Sequence, residues 1–306
     1  MTMQTLERRQ EPLSTYLRSR SADVAIKRNG VLEISTDPTF LEPIIKKIVE
    51  GMVKLTDDTT RHAHFPWEVI LSDLYGKGYE QEVGLRRPED NKRGERKFTF
   101  QYRPQMVPRL IERGTPVAEY QDFLTALYYL DEYTKSVAIA VAETFDETNR
   151  RRGNAITYPG SFAERLREGS CTIRVLRYLV QKEEIITLDL PDAAPHIDRS
   201  ALTVHSWASH AGLRVFGHDH TSQCVDETSF GSVAVFPGEK FAAITRGIFG
   251  YGTPHGVRDE RRKAGQRDGD RFAIVCFMHP IAKEKDAQWL LANKHLIETY
   301  EKSFKL

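Results

Sequence analysis

The stretch Cys171-Thr-Ile-Arg-Val-Leu-Arg-Tyr-Leu-Val180 decides the fold, because it begins a series of short segments rich in β-branched and aromatic residues. Gly, Asp and Pro separate these segments, and no helical pattern comes between them. The other predicted strands are Ile185–Leu190, Ala201–Trp207, Leu213–Phe216, Ser232–Phe236, Phe241–Thr245 and Phe272–Phe277. Consecutive short strands without helices are typical of an antiparallel sandwich or barrel.

Outward from this core, the pattern favours helices. Thr36-Asp37-Pro38 predicts the start of a helix, and apolar residues then recur at steps of three and four from Leu41 to Leu55. A second helix is predicted from Thr115-Pro116 to about Phe145, and a last one from about Ala282 to Phe304. Gly30–Ser35 is predicted to be a short strand and Leu85–Lys97 a solvated loop.

Composition limits the class of protein. The 306 residues carry 44 Lys and Arg against 43 Asp and Glu, so the net charge of +1 provides no field that would gather nucleic acid. The longest apolar run, Val137–Ala142, is much shorter than the roughly 20 residues of a spanning helix. The charged N-terminus and three cysteines without a CxxC spacing favour a reducing, cytoplasmic setting. We therefore expect a monomer or homodimer whose partner is a small-molecule substrate, with no nucleic acid and no membrane.

The strongest chemical signal is His196-Ile197-Asp198. Residues two apart in a strand face the same side, so the imidazole and the carboxylate can reach one metal ion, with His255 as the natural third ligand. Two histidines and one carboxylate on one face of the metal suit non-haem Fe(II), with positions left for a chelating co-substrate and O2. Arg271 opens the apolar strand Phe272–Phe277, where a buried guanidinium requires an anion, and its planar fork matches a carboxylate.

These residues resemble a known family. The segments Arg174-Val-Leu-Arg-Tyr178, Pro195-His196-Ile-Asp198, Thr253-Pro-His255 and Arg271-Phe-Ala273 occur in the order of the iron(II)/2-oxoglutarate-dependent oxygenases of the isopenicillin N synthase-like group. The resemblance is densest over about a third of the chain, from Arg174 to Pro280. It is closest to the ethylene-forming enzyme and to the cephalosporin ring-expanding enzymes.

The resemblance implies a role for each matching residue. His196, Asp198 and His255 would be the catalytic iron ligands, and Arg271 would pair with the distal carboxylate of 2-oxoglutarate. Tyr178 would help to hold this co-substrate through its hydroxyl, and Arg174 would reinforce that contact. The sequence departs from the family pattern at Ala273, where a serine is usual.

The fold and activity implied are those of a single catalytic domain, 1–306, with an all-β double-stranded β-helix (jelly-roll) core and a helical layer. Residues 1–150 would be mainly helical, 151–281 would form the jelly-roll core, and 282–306 the C-terminal helix. The expected reaction is 2-oxoglutarate-dependent oxidation, by default hydroxylation, of a metabolite, amino acid or natural-product intermediate in secondary metabolism, with release of succinate and CO2.

Three alternatives stay open at this point. The outcome could be oxidative cyclisation or desaturation, or fragmentation of 2-oxoglutarate as in ethylene formation. The chain could also use iron and O2 without 2-oxoglutarate, as isopenicillin N synthase does. Finally, it could be a non-catalytic β-barrel that binds a metal or another ligand.

Overall fold

A computed structural model describes residues 30–61, 67, 69–71, 81–88, 97–151, 158–179, 193–217, 220, 222–225, 228–258, 269–281 and 283–304. The strands within these ranges are β1 (Leu32–Ser35), β2 (Val69–Leu71), β3 (Gln81–Arg86), β4 (Lys97–Tyr102), β5 (Ser170–Tyr178), β6 (Ala193–His196), β7 (Leu202–Ala208), β8 (Leu213–Phe216), β9 (Ser222–Cys224), β10 (Ser232–Pro237), β11 (His255–Val257) and β12 (Arg271–His279). The helices are α1 (Pro38–Arg61), α2 (Met106–Glu112), α3 (Gln121–Arg151), α4 (Phe162–Arg167), α5 (Glu239–Thr245) and α6 (Glu284–Lys302). A short 3₁₀ turn, Val117–Tyr120, leads into α3.

The strands form two sheets with antiparallel pairing throughout. The larger sheet has eight strands in the order β1-β10-β7-β12-β5-β4-β3-β2, and the smaller has four in the order β6-β11-β8-β9. Strands distant in sequence therefore lie side by side, as in a jelly roll. The prediction of an all-β double-stranded β-helix core with helices is confirmed.

The larger sheet packs one face on the main apolar core, while its other face mixes polar and apolar residues, because successive side chains alternate across a strand. In β5, Ile173 and Val175 belong to the main apolar core that they share with α1 and α3. On the opposite, inner face of β5 lie Arg174, Leu176 and Tyr178. This inner face, turned away from the helical layer, carries the polar residues of interest.

The helical layer follows the predicted periodicity closely. Leu41, Ile45, Ile48, Met52 and Leu55 of α1 are all buried, as predicted from their spacing. The second predicted helix corresponds to α3, which extends past Phe145 to Arg151. None of the helices within the described ranges is long and apolar enough to cross a membrane.

Two predictions about local structure are wrong. Phe241–Thr245 is not a strand but most of helix α5, since a short apolar run does not reveal its period and Ala242 and Ala243 favour a helix. The predicted loop Leu85–Lys97 includes the end of β3 and the first residue of β4, while residues 89–96 lie outside the described ranges. β4 reads Lys-Phe-Thr-Phe-Gln-Tyr, a strict alternation that the charged residues before it obscured. The predicted strand Ile185–Leu190 also lies outside the described residues.

Candidate metal centre

The fold brings His196, Asp198 and His255 together. His196 ends β6 and His255 begins β11, and the two residues face each other directly across the antiparallel pair. Asp198 follows two residues after the end of β6. One ligand atom from each of the three residues lies within 4.8 Å of the others, and their side chains form the only such group of three metal-ligand types among the described residues.

Both imidazoles are oriented in the same way. Nδ1 of His196 lies 2.9 Å from the carbonyl oxygen of Ala194, and Nδ1 of His255 lies 3.1 Å from that of Thr253. A carbonyl oxygen can only accept, so each Nδ1–H donates, and in the neutral ring the lone pair is on Nε2. The Nε2 atoms lie 3.5 Å (His196) and 3.4 Å (His255) from the carboxylate oxygens of Asp198. Two Nε2 atoms and one carboxylate therefore point at one position.

The Asp198 carboxylate is held from the opposite side by β7. The Thr203 hydroxyl donates to its Oδ2 at 2.6 Å, and Oγ of Ser200 lies 3.0 Å from the same Thr203 oxygen. Thr203 is completely buried. A hydrogen bond of this kind orients a carboxylate toward a metal and fixes which oxygen is free.

Electrostatics place two of the three groups, His255 and Asp198, in states that bind metal. Burial by itself would raise the pKa of Asp198, but His255, His196 and the Thr203 hydrogen bond together lower it below its usual value. Burial lowers the pKa of His255 to about 4. For His196 burial acts in the same direction, but Asp198 outweighs it and raises the pKa. At neutral pH, His255 is neutral and Asp198 is ionised, as metal ligation requires.

Two glycines let the ligand segments approach each other. Gly252 has φ of +111°, and a Cβ there would lie 2.7 Å from the side chain of Ile197. A Cβ on Gly238 would lie 2.5 Å from the carbonyl oxygen of Asp198. Any larger residue at either position would push apart the segments that carry His255 and Asp198.

Access to the centre is asymmetric. The side chain of His196 is 36% exposed, whereas that of His255 is 8% exposed. Phe236 covers His255, with ring centroids 4.5 Å apart. A ligand from solvent therefore reaches the centre from the His196 side.

Arg271 and Tyr178 lie side by side on the inner face of the larger sheet. They are directly opposite each other in the β12–β5 pair, and the guanidinium of Arg271 lies 5.5 Å from the Tyr178 ring centre. Arg271 is fully buried, and its Nε donates to the carbonyl oxygen of His210 at 3.0 Å. On the other side of Tyr178, Lys97 of β4 lies 5.1 Å from the ring. Two cations and a phenol thus form a row at one end of the sheet.

Arg174 lies on the same face of β5, four residues before Tyr178. This separation corresponds to about 13 Å at the usual rise per residue of a strand. Its Nη2 donates to Oε1 of Gln101 at 3.0 Å, and its guanidinium stacks 4.8 Å from the Phe277 ring centre. These contacts tie it to β4 and β12. Its predicted role toward a co-substrate stays a prediction.

The remaining histidines do not form a second group within the described ranges. Nδ1 of His210 lies 2.8 Å from the Ser209 hydroxyl, and the ring of His220 stacks on Phe304. His62, His64 and His218 lie outside the described residues. Sequence reasoning gave no role to Thr203, although a threonine inside the apolar strand Ala201–Trp207 is a signal for a polar partner.

Known proteins resemble this chain in structure and not in sequence. No family model matches the sequence, and no curated protein matches it. Among solved structures, the dioxygenase for auxin oxidation 1 of Arabidopsis thaliana, bound to 2-oxoglutarate, aligns with a TM-score of 0.61 at 13% identity, over 87% of this chain and 89% of that one. The chain has the fold of the 2-oxoglutarate-dependent iron oxygenases.

Two further structures of this fold agree with it. A full-length Neurospora crassa protein, in complex with alpha-KG and 5-formyluracil, aligns with a TM-score of 0.61 at 17% identity, over 90% of this chain and 88% of that one. A 2OG-Fe(II) oxygenase family protein from Caulobacter crescentus aligns with a TM-score of 0.58 at 14% identity, over 94% of this chain and 96% of that one. The alignments to structures of this fold therefore cover most of the chain.

Proposed function

We propose that this chain is an Fe(II)- and 2-oxoglutarate-dependent dioxygenase that oxidises a C–H bond of a small molecule. One observation carries the proposal: two Nε2 lone pairs and one carboxylate converge on one position, and each ligand is oriented by a hydrogen bond of its own. This donor set is the one that suits non-haem Fe(II) with open coordination positions. Bound iron would supply the activation of O2 that is coupled to decarboxylation of 2-oxoglutarate to succinate and CO2.

The protein's own residues would bind and orient the co-substrate. Arg271 is the candidate for the distal carboxylate, because it is buried, permanently charged and held by the His210 carbonyl and the Tyr178 ring. The Tyr178 hydroxyl would donate to the same carboxylate. Lys97, on the other side of Tyr178, adds a second positive charge to this end of the sheet. These two cations favour a dicarboxylate co-substrate over the alternative in which the protein uses iron and O2 without 2-oxoglutarate.

The substrate is proposed to be a small metabolite. The structures similar to this chain include one named for auxin oxidation and one bound to 5-formyluracil. Auxin and 5-formyluracil are both small molecules, and the balanced charge of this chain provides no long-range field that would attract a nucleic acid. Hydroxylation is the proposed default outcome, in a cytoplasmic monomer or homodimer.

The test is succinate release from 2-oxoglutarate with Fe(II), O2 and a library of small metabolites. We expect a slow basal release that one class of metabolite stimulates, and no release from His255→Ala. Succinate formation that is equal with and without Fe(II), in protein stripped of metal, would contradict the proposal. Metal binding without any succinate under all these conditions would favour the non-catalytic binding protein instead.

A further inference from the structure

The C-terminal helix α6 reaches the metal centre through one hydrogen bond. The main-chain N–H of Ile197 donates to Oε2 of Glu301 at 3.2 Å. Ile197 is the residue between the ligands His196 and Asp198. We propose that Glu301 is a positioning residue, which fixes the backbone between these two ligands from outside the barrel; the inference rests on the proposed metal site.

The backbone at Ile197 has little room on its other side. Residue Ile197 is 6% exposed, and a Cβ on Gly252 would lie 2.7 Å from its side chain. A buried N–H needs a partner, because leaving it unpaired costs the free energy of its lost hydration. Glu301 supplies that partner where no strand does, since β6 ends at His196.

The start of α6 is fixed to the rest of the protein by a buried ion-pair cluster. Asp286 is 8% exposed and pairs with Arg165 of α4 and, at 3.1 Å, with Arg246 after α5. Arg165 also donates to the carbonyl oxygen of Ile281 at 2.8 Å. The helix therefore cannot slide along its axis without breaking charged contacts, and Glu301 is delivered to a fixed place.

Helix α6 and the residues just after it pack near both segments that carry ligands. Tyr251, four residues before His255, lies between Trp289 and Tyr300, with centroid distances of 6.4 and 6.0 Å. Phe304 packs against Phe216, 5.2 Å away, at the end of β8. The same helix thus contacts the His255 segment through rings and the His196–Asp198 segment through Glu301.

Removal of the acceptor oxygen of Glu301 should loosen the segment from His196 to Asp198 and weaken metal binding. We expect Glu301→Ala to raise the dissociation constant for Mn(II), an air-stable substitute for Fe(II), about tenfold, in the range that outer-sphere partners contribute. Glu301→Gln keeps an acceptor oxygen and should stay within about threefold of the wild type. Glu298→Ala is the matched control, because Glu298 lies one turn earlier on α6, half exposed and paired with Lys294.

A second measurement, on metal-free protein, separates this inference from the proposed function. Amide hydrogen exchange at Ile197 should be about tenfold faster in Glu301→Ala than in the wild type or Glu301→Gln, with unchanged exchange in α3. Equal exchange and equal Mn(II) affinity in Glu301→Ala would overturn the positioning role. A Gln variant as weak as the Ala variant would overturn the hydrogen bond as its basis. If the wild type binds no metal, while amide exchange at Ile197 still differs between Glu301→Ala and the wild type, the proposed function is refuted and the hydrogen bond is not.

Discussion

The hydrogen bond from Thr203 to Asp198 gives the sharpest quantitative test of the metal centre. Thr203→Val removes the hydroxyl and keeps nearly the same shape. The lost bond joins a buried hydroxyl to a buried, ionised carboxylate at 2.6 Å. Hydrogen bonds to charged groups are worth about 1.5–3 kcal/mol, which corresponds to roughly a 10- to 100-fold change in a binding constant.

The expected result is therefore a roughly 10- to 100-fold weaker affinity for Mn(II), because the freed carboxylate can turn away from the two imidazoles. Isothermal titration of metal-free protein, at one fixed pH, measures it. Thr172→Val is a matched control: Thr172 is a buried threonine on the same inner face, and its hydroxyl has no hydrogen-bond partner within the described part of the chain. That variant should bind Mn(II) as the wild type does.

Two outcomes would refute the reasoning. If Thr203→Val binds Mn(II) within about twofold of the wild type, Thr203 does not orient a metal ligand. If Thr172→Val weakens binding as much as Thr203→Val, the loss reflects general disturbance of the barrel and not the hydrogen bond to Asp198.

The other predictions concern the co-substrate, the ligands and stability. Arg271→Leu should raise the KM for 2-oxoglutarate about 100-fold, since a buried charge-assisted pair is lost; succinate release at varied 2-oxoglutarate measures it, and an unchanged KM would exclude Arg271 as the anchor. His196→Ala should abolish succinate release, and retained turnover would remove His196 from the ligand set. Burial raises the pKa of Asp131 from 3.8 to about 6 in the folded protein. This carboxyl therefore stabilises the folded state as the pH falls below about 6. The free energy of unfolding of the wild type, measured with denaturant, should therefore rise by about 1.4 kcal/mol relative to that of Asp131→Asn when the pH is lowered from about 7.5 to 5. An equal pH dependence in both proteins would contradict this prediction.

The sequence predicts the parts of the fold whose pattern is long or regular. The steps from Leu41 to Leu55 predict α1, and the β-branched run from Cys171 predicts β5, because periodicity over many residues has one structural solution. The run Phe241–Thr245 is too short to show a period, and the structure makes it helical. β4 is not predicted, although Lys97–Tyr102 alternates polar and apolar residues, because it directly follows the charged run before Lys97.

The site is predictable only as far as local spacing allows. His196 and Asp198 are two residues apart, and the expected ligand count indicates His255, so the sequence alone names the three residues that the structure brings together. Thr203, which orients Asp198, lies only five residues after it in the sequence. Glu301, which bonds the Ile197 N–H, and Lys97, which lies beside Tyr178, come from long-range contacts through α6 and through the register of β4 and β5. No spacing in the sequence encodes these contacts, because they depend on which strands and helices become neighbours.

The most direct test of the account is the metal stoichiometry and affinity of metal-free protein titrated anaerobically with Fe(II). We predict one Fe(II) per chain, lost in His196→Ala, Asp198→Ala and His255→Ala. His210→Ala should keep it, because the His210 ring bonds Ser209 and lies outside the His196, Asp198 and His255 group. Full Fe(II) binding in the three ligand variants, or equal loss in His210→Ala, would contradict the central claim.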